Sequence, residues 1–255
     1  MYQLLKYVQW LWRSKNKHAV HSPFVFDLMT KGRKTRIRPE NRLLIKKHYK
    51  YLISQNLKIE VEDFGAGSRV FKSNERGVDR IAKIAGMHYK QQELMAKLTA
   101  YFKPKNILEL GTSLGKATVA MSMGFPEAKI TTVERCTNTL KEAEKGFAKF
   151  QLKNIEAVNA LFADFLNEDS RSWDLVYLDG GHTKDFTLFT FEQLLPKIHN
   201  DSLLLLDDIY WSKEMTEAWE QIKAHPKVTV TIDSYEWGWV FFRKEQRKQH
   251  FTLRM

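Results

Sequence analysis

Two apolar runs of this 255-residue chain end in acid, WDLVYLD at 173–179 and SLLLLDD at 202–208. They deliver Asp179, Asp207 and Asp208, and His182 stands three residues past the first. If the runs are neighbouring strands, their ends lie ~4.8 Å apart, and three carboxylates share one crevice at the C-terminal edge of a sheet. Clustered anions repel. Either a hard divalent cation with oxygen ligands, Mg2+ by preference, joins them, or some take up protons. The competing use of Asp207 and Asp208 is to cap a helix that begins near Ser212. His182 titrates nearest neutrality and is the first choice as general base, with Lys184 as the alternative. Tyr210 and Trp211 follow the aspartates, where they could wall a flat substrate or simply pack.

Two further motifs compete for one task. VEDFGAGSRV (61–70) and ILELGTSLGK (107–116) both pass from apolar residues through an acid into a glycine-bearing turn, as a nucleotide-binding strand–loop–helix does. Such a loop needs a buried strand before it, a helix after it, and an acid closing the next strand to hold ribose hydroxyls. The second motif meets all three conditions, because ATVAMSMG reads as helix and ITTVER brings Glu134, 25 residues beyond Glu109. RVFKSNERGVDR, after the first motif, puts charges where a helix would pack. Gly65 and Gly67 therefore read as a turn that needs positive φ.

These residues need a scaffold, and the pattern from residue 105 onward supplies one. The runs 106–110, 128–134, 154–160, 173–179 and 202–208 are short and apolar or β-branched, and helical stretches at 115–123, 137–151 and 184–198 separate several of them. Strands alternating with helices imply right-handed βαβ units and a parallel sheet. KVTVTIDSYEWGWVFF (227–242) reads instead as an antiparallel hairpin at the sheet edge.

Composition and charge bound the rest. With 43% hydrophobic and 13% aromatic residues the chain can bury a full core. Its one cysteine, Cys136, excludes an internal disulfide framework and a multi-cysteine zinc site, so a reducing, cytoplasmic setting is expected. No run approaches the ~18 apolar residues of a membrane span, and the first residues lack the features of a secretion signal. The net charge of +11 is uneven: residues 1–50 hold 13 Lys/Arg against Asp27 and Glu40, and the tail 243–255 is also basic. The body between is mildly acidic, which suggests a basic N-terminal arm on a separate domain. KGRKTRIRPENR (31–42) is a solvated surface or a seat for an acidic partner such as RNA. Leu4, Leu5, Val8, Leu11 and Trp12 recur at helical spacing, and this stripe is expected to pack on the body, on a second subunit in a homodimer, or on a membrane surface.

At the second glycine motif the chain resembles the class I S-adenosylmethionine-dependent methyltransferases. Among them it is most similar to the metal-dependent small-molecule O-methyltransferases of the catechol and caffeoyl-CoA type. The likeness spans roughly residues 85–242 and rests on Glu109, Gly111, Thr112, Ser113 and Gly115 of the loop, on Glu134, and on LVYLDGGH and LLLLDDIYW. It implies a Rossmann-like, doubly wound, mostly parallel α/β sheet of seven strands with a C-terminal antiparallel hairpin. An N-terminal helical extension (1–85) would precede the methyltransferase domain (86–255). It further implies that residues 111–115 approach the methionine part of S-adenosylmethionine, that Glu134 holds the ribose, and that Phe162 or Asp164 holds adenine. Asp179, Asp207 and Asp208 would take Mg2+, although the related enzymes have Asn at the third position. Asp179 would border both the cofactor and the reacting atoms. His182 stands where the catechol enzyme has a catalytic lysine. A small hydroxylated acceptor follows from the resemblance; an RNA methyltransferase or a non-catalytic cofactor-binding protein are the alternatives.

Overall fold

The structure, a computed structural model, describes residues 1–16, 19–62, 67 and 71–254. The N-terminal region is mainly helical: α1 (Tyr2–Arg13), α2 (Pro23–Asp27) running into a π-helical turn at Leu28–Gly32, and α3 (Pro39–Ile53). Proline opens both α2 and α3, where its missing N–H costs nothing. A two-stranded antiparallel pair follows, β1 (Lys58–Glu60) with β2 (Glu75–Gly77), and then α4 (Val78–Ile84) and α5 (Tyr89–Phe102). The first glycine motif thus lies between two strands of a small hairpin, not between strand and helix. Gly65 falls outside the described residues, and Gly67 has φ +75° with open space around it.

The main sheet begins with β3 (Asn106–Leu110), α6 (Lys116–Gly124), β4 (Lys129–Glu134), α7 (Thr137–Lys149) and β5 (Ile155–Asn159). It continues through α8 (Phe162–Glu168), β6 (Trp173–Leu178), α9 (Lys184–Leu194), β7 (Ile198–Asp207) and α10 (Lys213–Ala224). It closes with β8 (Val230–Asp233), β9 (Trp237–Phe241) and β10 (Gln249–Thr252). Among the described residues the strands lie in the order β10-β8-β9-β7-β6-β3-β4-β5. All pairings are parallel except those of β9, which is antiparallel to β7 and β8. The expected hairpin is β8–β9. The basic tail adds an eighth strand, because residues 249–252 pair with β8.

The strands read as continuous apolar runs because the sheet is covered on both faces. Alternate residues of β6 go to opposite cores: Leu175 and Tyr177 join Met95, Ala120 and Met121, whereas Val176 and Leu178 join Phe165, Phe191 and Trp219. The order changes sides between β3 and β6, so the loops after these two strands frame one crevice at the C-terminal edge.

The N-terminal helices share this core. Ile45 packs with Ala96, Val119, Ala143 and Phe147, and Val25 and Leu28 pack with Trp239 and Phe241. Of the expected α1 stripe, only Leu11 packs on the body. Trp10 is buried and its indole donates to Asp233 O at 3.3 Å, while Leu4, Leu5, Val8 and Trp12 of the expected stripe are exposed. Directly after the helix, Lys15 bridges Leu253, just beyond β10.

Candidate active site

The cofactor-side loop is shaped by one close approach. Gly111 has φ +109°, and a Cβ there would lie 1.9 Å from the carbonyl oxygen of Asp179. Only glycine fits. Ser113 follows at φ +47°, in the left-handed region that favours glycine. Gly115 starts α6 at φ +75° with Phe147 against it.

Glu134, at the end of β4, is anchored by two backbone donors, Ser113 N at 3.0 Å and Cys136 N at 2.9 Å. Burial raises its pKa, and those amides oppose the shift. Glu109 is wholly buried and pushed up to about 8 by desolvation, although Thr118 and Thr132 both donate to Oε2. Its Oε1 has no hydrogen-bond partner among the described residues. Thr112 is turned inward, sharing a 2.6 Å hydrogen bond with the Thr132 hydroxyl, so its side chain supports Glu109. Glu109, Gly111, Thr112 and Ser113 line one crevice with Leu114 and the Gly86–Met87 turn, and Glu134 is tied to its rim through Ser113 N. A buried, unpartnered carboxylate oxygen and a backbone cradle closed to any Cβ suit the amino-acid end of S-adenosylmethionine, and Glu134 suits its ribose.

Phe162 and Asp164 separate. Phe162 opens α8 and touches Gly180, where an added Cβ would meet its ring at 2.8 Å. Asp164 is exposed in the first turn of α8. Phe162 is the one beside the crevice.

On the acceptor side, the Tyr177 hydroxyl donates to Asp207 Oδ2 at 2.9 Å and lies 3.3 Å from Asp179 Oδ2. A tyrosine hydroxyl therefore stands between two of the carboxylates expected to share a cation. Desolvation, followed by the charges of Asp179 and Asp208, raises the Asp207 pKa well above the usual carboxylate range. Asp208 leaves the strand in a left-handed turn at φ +51° and its amide pairs with Glu236 O. No group of three His, Cys, Asp or Glu residues among the described residues could hold a metal ion. Asp179, Asp207 and Asp208 do not fit the expected Mg2+ set. The cap reading fails too, because Ser212 caps α10 by accepting from Met215 N at 3.1 Å.

His182 has φ +43°, with Nε2 3.6 Å from Asp179 Oδ1 and its ring 5.8 Å from that of Trp211. Lys184 points elsewhere, paired at 2.9 Å with Glu217 of α10. Trp211 borders the site. Tyr210 does not, since its hydroxyl donates to Asp233 Oδ2 at 2.5 Å and its ring stacks on Tyr235.

Two participants escaped the sequence reading. Tyr177 could have been found, because it precedes Asp179 by two on the same face of β6. Lys116 could not: its ammonium donates to Ala82 O at 2.8 Å and Ala85 O at 2.6 Å, tying the end of α4 over the glycine loop, and burial lowers its pKa to about 8. Nothing in the α4 sequence marks those carbonyls.

Comparison with known proteins agrees with this geometry. A family described as a methyltransferase domain matches residues 108–209. The SAH-bound methyltransferase PaMTH1 of Podospora anserina has a similar structure at 12% identity and a TM-score of 0.62, over 88% of this chain and 97% of that one. An O-methyltransferase from Bacillus cereus in complex with SAH is similar at 19% identity and 0.52, over 62% and 81%. The O-methyltransferase TomG of Streptomyces achromogenes, involved in tomaymycin synthesis and in complex with SAM, is similar at 14% identity and 0.53, over 62% and 82%. The residues matched to the methyltransferase-domain family carry the glycine loop, Glu134 and the Asp179–Asp208 edge, and the fold is that of these methyltransferases.

Proposed function

We propose that this chain methylates an oxygen of a small hydroxylated molecule, with His182 as the general base. The observation that carries this reading is the place of His182: its imidazole lies between Asp179 and Trp211, on the loop whose carbonyl meets Gly111. When bound, S-adenosylmethionine would supply an electrophilic methyl carbon, which an acceptor oxygen attacks in line as the carbon–sulfur bond breaks and the neutral thioether leaves. The chain has to hold the two reactants in register and remove one proton. Gly111 and Glu134 position the donor. Asp179 lies on the Nε2 edge of His182, which leaves Nδ1 to accept the acceptor's proton. The Trp211 ring offers a flat wall to the acceptor. No step runs through a metal ion.

The test is to incubate the protein with labelled methyl donor and cell extract, with and without Mg2+, and to separate small molecules, RNA and protein. Label in the small-molecule fraction is expected in both conditions. Label confined to RNA would make the basic arm part of the acceptor site and displace this reading. Cofactor binding without any labelled product would leave a binding protein.

A further inference from the structure

Helix α1 packs Trp10 and Leu11 inward and turns a second apolar arc outward. At 3.6 residues per turn, Leu4, Leu5, Val8 and Trp12 fall within an arc of about 100°. They are 67, 58, 48 and 90% exposed, so this arc faces solvent. Gln3 and Lys6, which are polar, are turned partly inward instead. Isolated exposed apolar residues need no explanation, but a contiguous stripe on one helix marks a surface that something covers.

Cations gather at the end of the same helix. The Arg254 guanidinium donates to Ser14 Oγ and to Leu11 O, both at 2.9 Å, and Arg33 donates to Arg254 O at 3.3 Å. With Arg13 and Lys15 they form a collar around the C-terminal end of α1, and none of the four is in an ion pair among the described residues. From Arg33 the positive surface continues into a cleft of about 600 Å³ lined by Lys34, Arg36, Arg38 and Lys97.

The covering partner must accept both features. RNA would pair with the cations but leave the apolar arc in water. A second copy of this chain would cover the arc, but it would bring two cationic collars together, and one face of a 12-residue helix falls short of the ~800 Å² per partner of a stable interface. An anionic lipid surface offers apolar depth and negative headgroups together. We propose that α1 is an interfacial anchor: Leu4, Leu5, Val8 and Trp12 enter the acyl boundary, while Arg13, Lys15, Arg33 and Arg254 lie against anionic headgroups.

The test is cosedimentation of the full chain with vesicles of phosphatidylcholine alone or mixed with phosphatidylserine. Binding to the mixed vesicles, weakened by salt and nearly absent on phosphatidylcholine alone, is expected. The Leu5→Glu/Val8→Glu double variant should lose it, and Arg13→Gln or Lys15→Gln should each weaken it about fivefold. These side chains are exposed, so melting temperatures should match the parent chain and separate lost binding from lost folding. The proposal is overturned if the folded protein ignores mixed vesicles at low salt or if the double variant binds them undiminished. It is equally overturned if the arc proves to be a dimer contact, with sedimentation showing a dimer that Leu5→Glu/Val8→Glu dissociates.

Discussion

Tyr177 and Asp207 meet across the seam between β6 and β7, hydroxyl to carboxyl at 2.9 Å, two residues past the Tyr177–Leu205 pairing of the strands. The bond supplies a donor to a buried acid, so Tyr177→Phe removes a partner without opening much space. Urea denaturation should show a loss of about 1–3 kcal/mol, with donor affinity preserved. Unchanged stability would mean that Asp207 does not depend on this hydroxyl.

Because that hydroxyl lies where a shared cation is expected, methyl transfer should proceed in excess EDTA at the rate seen with Mg2+. Calorimetric titration of the protein with Mg2+ should give no heat of binding. A rate that collapses on chelation and returns with Mg2+ would restore Asp179, Asp207 and Asp208 as ligands.

The proposed donor site needs backbone room at one position and a carboxylate at another. Gly111→Ala drives a methyl group into Asp179 O, and Glu134→Ala removes the ribose acceptor. Calorimetry should find binding abolished by the first and weakened at least about tenfold by the second, a loss near 1.4 kcal/mol. Gly67→Ala, whose Cβ meets no atom of the described residues within 4 Å, should bind donor normally at a conformational cost of ~1 kcal/mol. Lost donor binding in a folded Gly67→Ala protein would bring the first glycine motif back into the site.

Once an acceptor is in hand, His182→Asn should lower kcat by about 10²–10⁴-fold while leaving the KM for the donor near that of the parent. Lys184→Met should cost little, since Lys184 serves an ion pair with Glu217. The opposite ranking would transfer the role of base to Lys184.

Away from the site, His48 sets an acid limit on stability. It is fully buried, neither ring nitrogen has a partner among the described residues, and burial lowers its pKa to about 4 from 6.5. The unfolded chain takes up this proton as pH falls below 6.5 while the folded chain does not. Stability is thus fully present above 6.5 and drains away toward pH 4. His48→Leu should remove about 2 kcal/mol of the loss between pH 7 and pH 5, measured by urea denaturation at both. Parallel losses in the two proteins would mean that other groups set the limit.

What the sequence shows and hides divides along physical lines. The β3 to β7 runs are legible because burial on both faces demands unbroken apolar residues, and the Glu109–Gly111–Glu134 spacing is legible because one local turn carries it. Tyr177 between two acids is a relation across strands, and Lys116 reaching Ala82 and Ala85 joins residues more than 30 positions apart. The apolar stripe of α1 was visible, but its direction was not. A helical period says that two faces differ, and only the partner, here Tyr235 and Asp233, decides which one is buried.

The contact between Gly111 and the carbonyl of Asp179 has a mechanical consequence. It joins main chain to main chain, so no side-chain rotation can loosen it. The loop that receives the donor and the loop that carries His182 behave as one machined part. For the proposed reaction this means that donor and base would be spaced by the folded main chain itself, an alignment set during folding rather than at each encounter with substrate.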